Sequence, residues 1–444
     1  MPVYQTPAMY DSCINPLHFL YMLLHHTLCM IIIISMKNYY MDHAATTPLS
    51  KEALEAMMPY LTDEYGNAST IYMPGQRAKS AIDNSRRSIA ATIGAGPSEV
   101  YFTSGGSESD NWALIGAYEK SLPELHKKGR PGHIITDKIE HHAVLNTCGY
   151  LESRGVDVTY LDVDSQGNVD SEAVMAAIRE DTFLVSIMTA NNEVGTIEPV
   201  KEIGEALRRH HEKTGQRVLF HTDAVQAYGH IPLDVSGLNV DLMSSSAHKL
   251  NGPKGTGFLY MRRDISLPGF IHGGAQERGR RAGTENIPAI VGFARAAEIA
   301  CGNIGTRMIK ETEVRDHFTE RILNEIPGTV LNGAQESRLP NNINVRFPGA
   351  DAETLLLLLN EHHIYASAGS ACASGSLEPS HVLMAMGLSR DEAKSSLRFT
   401  ISHDTSMEDA DYVADTLKQL LSRFSCKEIK NDDMYVVVML QNPP

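Results

Sequence analysis

Lys249 closes the run Ser244-Ser245-Ser246-Ala247-His248-Lys249. Upstream lies Asp223-Ala224-Val225-Gln226. Downstream, Cys372 sits in Ser367-Ala368-Gly369-Ser370-Ala371-Cys372-Ala373-Ser374-Gly375-Ser376. A lysine amine can hold an aldehyde cofactor as a Schiff base, and a carboxylate can pair with that cofactor's pyridinium nitrogen. A cysteine among small residues can swing in as a nucleophile. Together the three point to pyridoxal-phosphate chemistry with a sulfur step.

Each residue also has a plainer reading. Most lysines are solvated, but Lys249 follows small polar residues and precedes the turn Asn251-Gly252-Pro253-Lys254-Gly255. That setting suits an amine projecting from a strand end and partly desolvated, as a Schiff base needs. Asp223 follows the apolar stretch 218–220, where an unpaired carboxylate is costly. A pyridinium would satisfy it, and so would a structural salt bridge. Cys372 has only Ala, Ser and Gly around it, a segment that cannot pack a core and should be mobile. A structural cysteine prefers an apolar, rigid setting, so Cys372 reads as a reactive thiol and Cys148 and Cys301 as structural. His141 stands at a helix start in Glu140-His141-His142. It can stack on a ring or shuttle a proton, or simply cap the helix. Arg398 can fork onto a substrate carboxylate or form a structural ion pair. In Thr103-Ser104-Gly105-Gly106-Ser107-Glu108-Ser109 a glycine pair joins a strand-like run to a helix. Such a turn cradles anions or is an ordinary capped start; the Ser246–Lys249 run favours the phosphate.

These groups need a scaffold. Seven short apolar runs, at 100–103, 133–136, 156–161, 183–190, 218–222, 240–244 and 257–261, alternate with helical stretches such as 171–179 and 200–211. That alternation argues for an α/β fold, a mostly parallel seven-stranded sheet with helices on both faces. Ligands of such sheets bind beyond the carboxyl ends of the strands, and Asn192, Asp223 and Lys249 all fall there. Beyond about residue 290 the pattern changes to a charged helix at 294–325, a strand at 342–347, a helix at 352–361 and a last helix at 407–422. The domain reading is therefore a large ligand-binding domain at 51–293 and a smaller α+β domain from 36–50 plus 294–425, which carries Cys372.

The ends differ. The stretch 17–34 is apolar and long enough for a membrane span. It nevertheless holds His18, His25, His26 and Cys29 and lacks a basic flank or a small-residue cleavage site. Residues 1–35 read as upstream sequence translated in frame, with Met36 the natural start; a membrane anchor is the alternative. The tail 426–444 has no functional reading.

With 39 basic against 54 acidic residues the net charge is −15, which argues against a nucleic-acid or anionic-membrane surface. No two of the six cysteines form a C-x-x-C pair, so neither a zinc site nor a redox motif is supported. Scattered free thiols in a long chain suit a reducing, cytoplasmic compartment.

Several motifs resemble NifS/IscS-type cysteine desulfurases, pyridoxal-phosphate enzymes of the class-V aminotransferase family. They are Asp42-His43-Ala44-Ala45-Thr46-Thr47-Pro48, Tyr65-Gly66-Asn67, Ala190-Asn191-Asn192-Glu193-Val194-Gly195 and Pro253-Lys254-Gly255-Thr256-Gly257 after Lys249. Gln276-Glu277-Arg278-Gly279-Arg280-Arg281-Ala282-Gly283-Thr284-Glu285-Asn286 belongs with them, as does Cys372 with Leu377-Glu378-Pro379-Ser380-His381. The likeness spans roughly 36–423. It implies the fold-type-I, aspartate-aminotransferase-like homodimer. By motif position Lys249 would be the Schiff-base lysine, Asp223 the pyridinium partner, Gln226 the neighbour of the ring hydroxyl, and His141 the stacking and acid–base residue. Gly106, Ser107, Ser246 and His248 would hold the phosphate of pyridoxal 5'-phosphate, with Thr284 reaching it from the other subunit. Asn192 would lie beside the cofactor, and Arg398, Asn192 and Asn67 would bind substrate. Cys372 would carry a persulfide, with transient [2Fe-2S] contact. Ser107 stands where the family usually has threonine, which keeps the hydroxyl.

The implied activity is a sulfurtransferase that converts L-cysteine to L-alanine. It would pass sulfur to an acceptor protein such as an iron–sulfur scaffold, or toward nitrogenase or thiolated tRNA. The alternatives are a selenocysteine lyase, another class-V aminotransferase, and a non-enzymatic sulfur carrier or scaffold.

Overall fold

The computed structural model describes residues 37–369 and 378–425, with side chains through residue 422. The architecture below is that of the compact unit that begins at Tyr40. The readings of 1–35 and 426–444 lie outside the described residues, as does Cys372.

Seven strands form the main sheet: β1 (Val100–Thr103), β2 (His133–Asp137), β3 (Asp157–Leu161), β4 (Thr182–Ser186), β5 (Leu219–Asp223), β6 (Leu242–Ser246) and β7 (Gly257–Met261). Their order is β1-β7-β6-β5-β4-β2-β3. β3, β2, β4, β5 and β6 pair in parallel, and β7 runs antiparallel to both its neighbours. The apolar runs explain the burial. Successive side chains of a strand point to opposite faces, and a parallel sheet covered by helices needs both faces apolar. Ile134, Leu184, Leu219, Leu242 and Leu259 pack on one side with Trp112, Val144 and Leu151. Their neighbours Ile135, Val185, Phe220, Met243 and Phe258 pack on the other with Ile203, Leu207 and Phe293.

A second, three-stranded antiparallel sheet is built from β8 (Val330–Leu331), β9 (Asn342–Arg346) and β10 (Ser396–Thr400), in the order β10-β9-β8. Asn344 stands opposite Arg398. The free flank of β10 is bridged by Asp42 at Thr400 and by Ser367 at Arg398.

Two sequence expectations are corrected. The apolar run 183–190 is strand only as far as Ser186; its remainder is a buried connection leading into Asn191 and Asn192. The single helix expected at 294–325 is two, Ile287–Gly302 and Ile304–Glu325, bent by 72° at Asn303. The first is rich in Ala and Ile and packs under the helices Lys51–Leu61 and Met73–Thr92; the second packs on Met407–Ser425. One straight rod cannot serve both surfaces, and Gly302-Asn303 is a weak helix former at which to break. No single helix among the described residues is long and apolar enough to cross a membrane.

The segment carrying Thr284 is anchored by Glu277. Glu277 and Arg278 adopt left-handed backbone angles, φ 44° and 59°, which L residues seldom occupy. The Glu277 carboxylate accepts two 2.7 Å bonds from Arg86 and one of 3.0 Å from the Phe102 N–H. Both partners are nearly buried, with side chains 11% and 3% exposed. Glu277→Ala strands the Arg86 charge, and stability falls by about 3–5 kcal/mol. The measurement is a lower urea midpoint with an unchanged m value.

Candidate active site

Lys249 emerges from the short turn Ala247–Lys249 directly after β6. Its Nζ donates to the carbonyls of Ala44 (2.5 Å) and Ala45 (2.9 Å). The segment carrying those carbonyls is strapped to the same turn: the Thr47 N–H and hydroxyl both donate to the His248 carbonyl at 2.9 Å. Behind the turn, the His230 ring meets the Lys249 carbonyl at 3.2 Å.

Asp223 is the last residue of β5 rather than the first beyond it. It is buried, and one carboxylate oxygen accepts the Val225 N–H at 2.8 Å. Burial pushes its pKa up to about 6, while the Val225 bond and nearby Lys249 pull it back. Such a carboxylate gains most from a cation placed against it. Gln226, one turn on, donates from Nε2 to the Ala44 carbonyl at 3.1 Å.

Gly105 and Gly106 join β1 to the helix Gly106–Lys128. No side chain caps that helix start, so its first N–H groups are available to an anion. A Cβ at Gly106 would sit 2.6 Å from Val225 Cγ2, so the backbone itself forms the cradle wall. Ser246, at the end of β6, lies against that loop, a Cβ at Gly105 being 3.8 Å from its Oγ. His248 Nδ1 meets the Thr46 hydroxyl at 3.1 Å.

His141 caps the helix His142–Glu152, its Nδ1 accepting the Ala143 N–H at 3.1 Å. Burial first, then the charges of Lys249, His142 and His381, hold the imidazole at about 4. It is therefore neutral at ordinary pH, and it lines the cavity. The sign of the pH effect follows. An unfolded histidine takes up a proton near 6.5, whereas folded His141 resists until about 4. The stability it confers is complete above 6.5 and drains as pH falls toward 4. The difference in unfolding free energy between the wild type and His141→Gln should narrow in that window, by about 1.4 kcal/mol per pH unit at the steepest. Denaturant titrations of both proteins at several pH values check it, and a difference independent of pH refutes it.

Arg398 lies on β10 and is 1% exposed. Its Nη1 donates to the Asn192 carbonyl (2.9 Å) and its Nη2 to Asp42 (2.7 Å).

Ten of the residues singled out in the sequence line one cavity of about 190 Å³: Gly106, Ser107, His141, Asn192, Asp223, Gln226, Ser246, His248, Lys249 and Arg398. Asn67 does not join them; it sits on an exposed turn, where its Oδ1 accepts the Ser69 N–H at 2.9 Å. Thr284 is also exposed and lines a separate cleft with Thr103, Thr256 and Arg281. Cys372 lies outside the described residues, but the chain on either side of its segment is placed. Ser367 pairs with Arg398, Ser380 donates to the Glu193 carboxylate (2.5 Å), and the His381 ring meets the Glu140 carbonyl (3.0 Å). Sequence reasoning missed Asp110, which also lines the cavity. Its signal was a carboxylate within the buried stripe Ser109, Asp110, Trp112, Ala113 and Leu114 of an otherwise amphipathic helix. It also missed Asp42 as the partner of Arg398.

The donor set fits pyridoxal 5'-phosphate. A buried carboxylate awaits a ring cation, an amine lies within the same cavity, and a glycine cradle opens at a helix start. An arginine is left to meet a substrate carboxylate.

Residues 39–413 match the family described as Aminotransferase class-V. A cysteine desulfurase IscS of Methanosarcina thermophila is 49% identical over 387 residues, covering 87% of this chain and 93% of that protein. One from Clostridium botulinum is 46% identical over 390 residues, covering 87% and 95%. Among solved structures, a NifS-like protein superposes with a TM-score of 0.80 at 38% identity, covering 87% of this chain and all of that one. SspA in complex with cysteine superposes at 0.72 with 39% identity, covering 83% and 100%.

Proposed function

The chain belongs to the class-V aminotransferase family, and from that premise we propose that it is a cysteine desulfurase whose reaction runs in the cavity around Lys249. The supporting observation is that Lys249 and Asp223, from the ends of neighbouring strands, line one cavity with the Gly106 helix start and Arg398.

Pyridoxal 5'-phosphate, when bound, supplies an aldehyde for the amino group of L-cysteine and a ring that draws electrons from its Cα and Cβ. The protein does the rest. Gly106, Ser107, Ser246 and His248 hold the phosphate. Asp223 would pair with the ring nitrogen and keep it protonated, Gln226 would meet the ring hydroxyl, and His141 would stack on the ring. Arg398, aimed by Asp42 and the Asn192 carbonyl, binds the substrate carboxylate and orients Cα–H toward Lys249. Lys249 accepts the Cα proton at Nζ. The Cys372 thiolate then attacks the substrate sulfur. An S–S bond forms, the Cβ–S bond breaks with its electron pair left on the carbon fragment, and protonation of that fragment completes alanine. The substrate sulfur keeps its proton as the persulfide S–H, and His141, whose Nδ1 accepts the Ala143 N–H and whose proton therefore sits on Nε2, gives acid help at that sulfur.

The homodimer in this reading accounts for Thr284, which would complete the phosphate site of the neighbouring subunit. The exposed apolar side chains Leu54, Met58, Leu61, Tyr65, Ile71, Tyr72 and Met73 support an interface of that kind. Asn67, on the same exposed stretch, would reach substrate only from a partner. The persulfide would pass its sulfur to an acceptor protein such as an iron–sulfur scaffold, with transient [2Fe-2S] contact at Cys372.

The test is purified protein loaded with pyridoxal phosphate and given L-cysteine. Equal amounts of alanine and protein-bound persulfide are expected. Pyruvate or another keto acid in place of alanine refutes the reading and favours an aminotransferase.

A further inference from the structure

A second carboxyl stands beside the proposed cofactor carboxylate, and none of the chemistry above uses it. Asp110 lies one turn into the helix Gly106–Lys128 and is 1% exposed. It lines the cavity, and its Oδ1 has no hydrogen-bond partner among the described residues. Ligand atoms of Asp110, Asp223 and His141 all lie within 4.8 Å of one another.

The surroundings of Asp110 supply no positive charge close enough to offset a second negative one. Its other contact is the Ser244 hydroxyl. Ser244 in turn bonds His221 Nε2 at 2.9 Å, and His221 Nδ1 bonds the Ser186 hydroxyl at 2.9 Å. The His221 ring is 3.6 Å from Asp110 Oδ1, but full burial holds it at about 3, so it is neutral. His141 is neutral as well. Glu140, buried nearby, has its carboxyl pushed well above the usual range by desolvation and by the charges of Asp137, Asp223 and Asp110, and supplies no cation. Lys249 acts on Asp223, and the guanidinium of Arg398, which lines the same cavity, is paired with Asp42. Two buried carboxyls this close, with no cation of their own to share, do not both ionise.

We propose that Asp110 is a positioning residue for Asp223: it remains a neutral carboxylic acid, so that the pair presents a single negative charge to the ring nitrogen. An oxygen of Asp110 lies within 4.8 Å of one of Asp223, and the acid proton of Asp110 would turn toward Asp223 as a donor. A carboxylate that accepts a hydrogen bond is a weaker base, so the proton shared between Asp223 and the ring nitrogen rests on the ring. The Ser244–His221–Ser186 chain holds the Asp110 carboxyl in the orientation that makes this so. The inference rests on the cavity being the pyridoxal-phosphate site.

The test uses holoenzyme. Wild type, Asp110→Asn and Asp110→Ala are each loaded with pyridoxal phosphate whose ring carries heavy nitrogen. Three quantities are read: the ring-nitrogen NMR resonance, the cofactor dissociation constant, and the infrared difference between wild type and Asp110→Asn. Asparagine is isosteric with the neutral acid and equally uncharged. It should leave the resonance in place and the dissociation constant within about twofold, while alanine shifts the resonance and weakens binding about tenfold. The infrared difference should contain the C=O stretch of a protonated carboxyl at neutral pH. The proposal is overturned if that band is missing, if Asp110→Asn moves the ring resonance, or if Asp110→Ala moves nothing. Should the alanine protein fail to fold, the two asparagine measurements decide alone. Wild type that binds no cofactor would sink the site assignment itself, a separate result.

Discussion

Replacing Lys249 with alanine abolishes the visible absorbance of the cofactor-loaded protein and lowers turnover of L-cysteine by at least about 10³-fold. Two functions end on one nitrogen, covalent attachment of the aldehyde and transfer of the Cα proton, so their losses compound. The structure explains why no neighbour takes over. Nζ is held inside the cavity by the Ala44 and Ala45 carbonyls, and among the described residues no other lysine lines it. Lys254, the next lysine along the chain, lies within the turn Asn251–Gly255 and is exposed. Lys249 is only half-buried and ends a short turn, so its truncation leaves the core intact and the thermal midpoint should hold. An alanine variant that keeps its colour and its activity removes Lys249 from the mechanism.

Cys372→Ala has the opposite profile. The cavity residues are untouched, so the variant binds pyridoxal phosphate and takes up L-cysteine with the spectral changes of the wild type. Persulfide on the protein disappears, and sulfide release under reducing conditions falls by about 10³-fold or more. The loss is confined to the sulfur step because only that step needs a thiolate nucleophile. Mass spectrometry of the protein after one turnover, with and without thiol, is the direct measurement. This experiment also separates the desulfurase from an aminotransferase of the same family, which has no use for Cys372. Undiminished sulfide from the alanine variant means the nucleophile is elsewhere; neither Cys148, buried, with its thiol driven above the usual range by desolvation, nor Cys301, also raised by burial, is placed to serve.

Thr284, expected from the other subunit, and Asn67, expected at the substrate, show where reasoning within one chain stops. Both are exposed and outside the cavity. Their assigned roles came from motif position, and the single chain does not bring them to the cavity.

The seven-stranded sheet was legible in the amino-acid sequence because a strand covered on both faces must be apolar at every position, so each strand announces itself as a short run. The same rule located Asp223 and Lys249, since a polar residue ending such a run marks the carboxyl edge of the sheet. The glycine pair before Ser107 was equally readable, its tight approach to Val225 being a constraint that only glycine meets. Strand order, by contrast, was not written locally. It is strand order that places β5 beside β6 and so sets Asp223 next to Lys249. The return of β10 brings Arg398 to Asn192, and the early segment 42–47 closes over the lysine with its carbonyls. Asp110 belongs to that second group: as a residue it is one more acid on a helix, and it becomes part of a charge-sharing pair only when the helix is laid along the end of β5. Local periodicity reports how each element is buried. Which side chains meet across elements is decided by packing and chain closure over hundreds of residues, and that information exists only in the folded molecule.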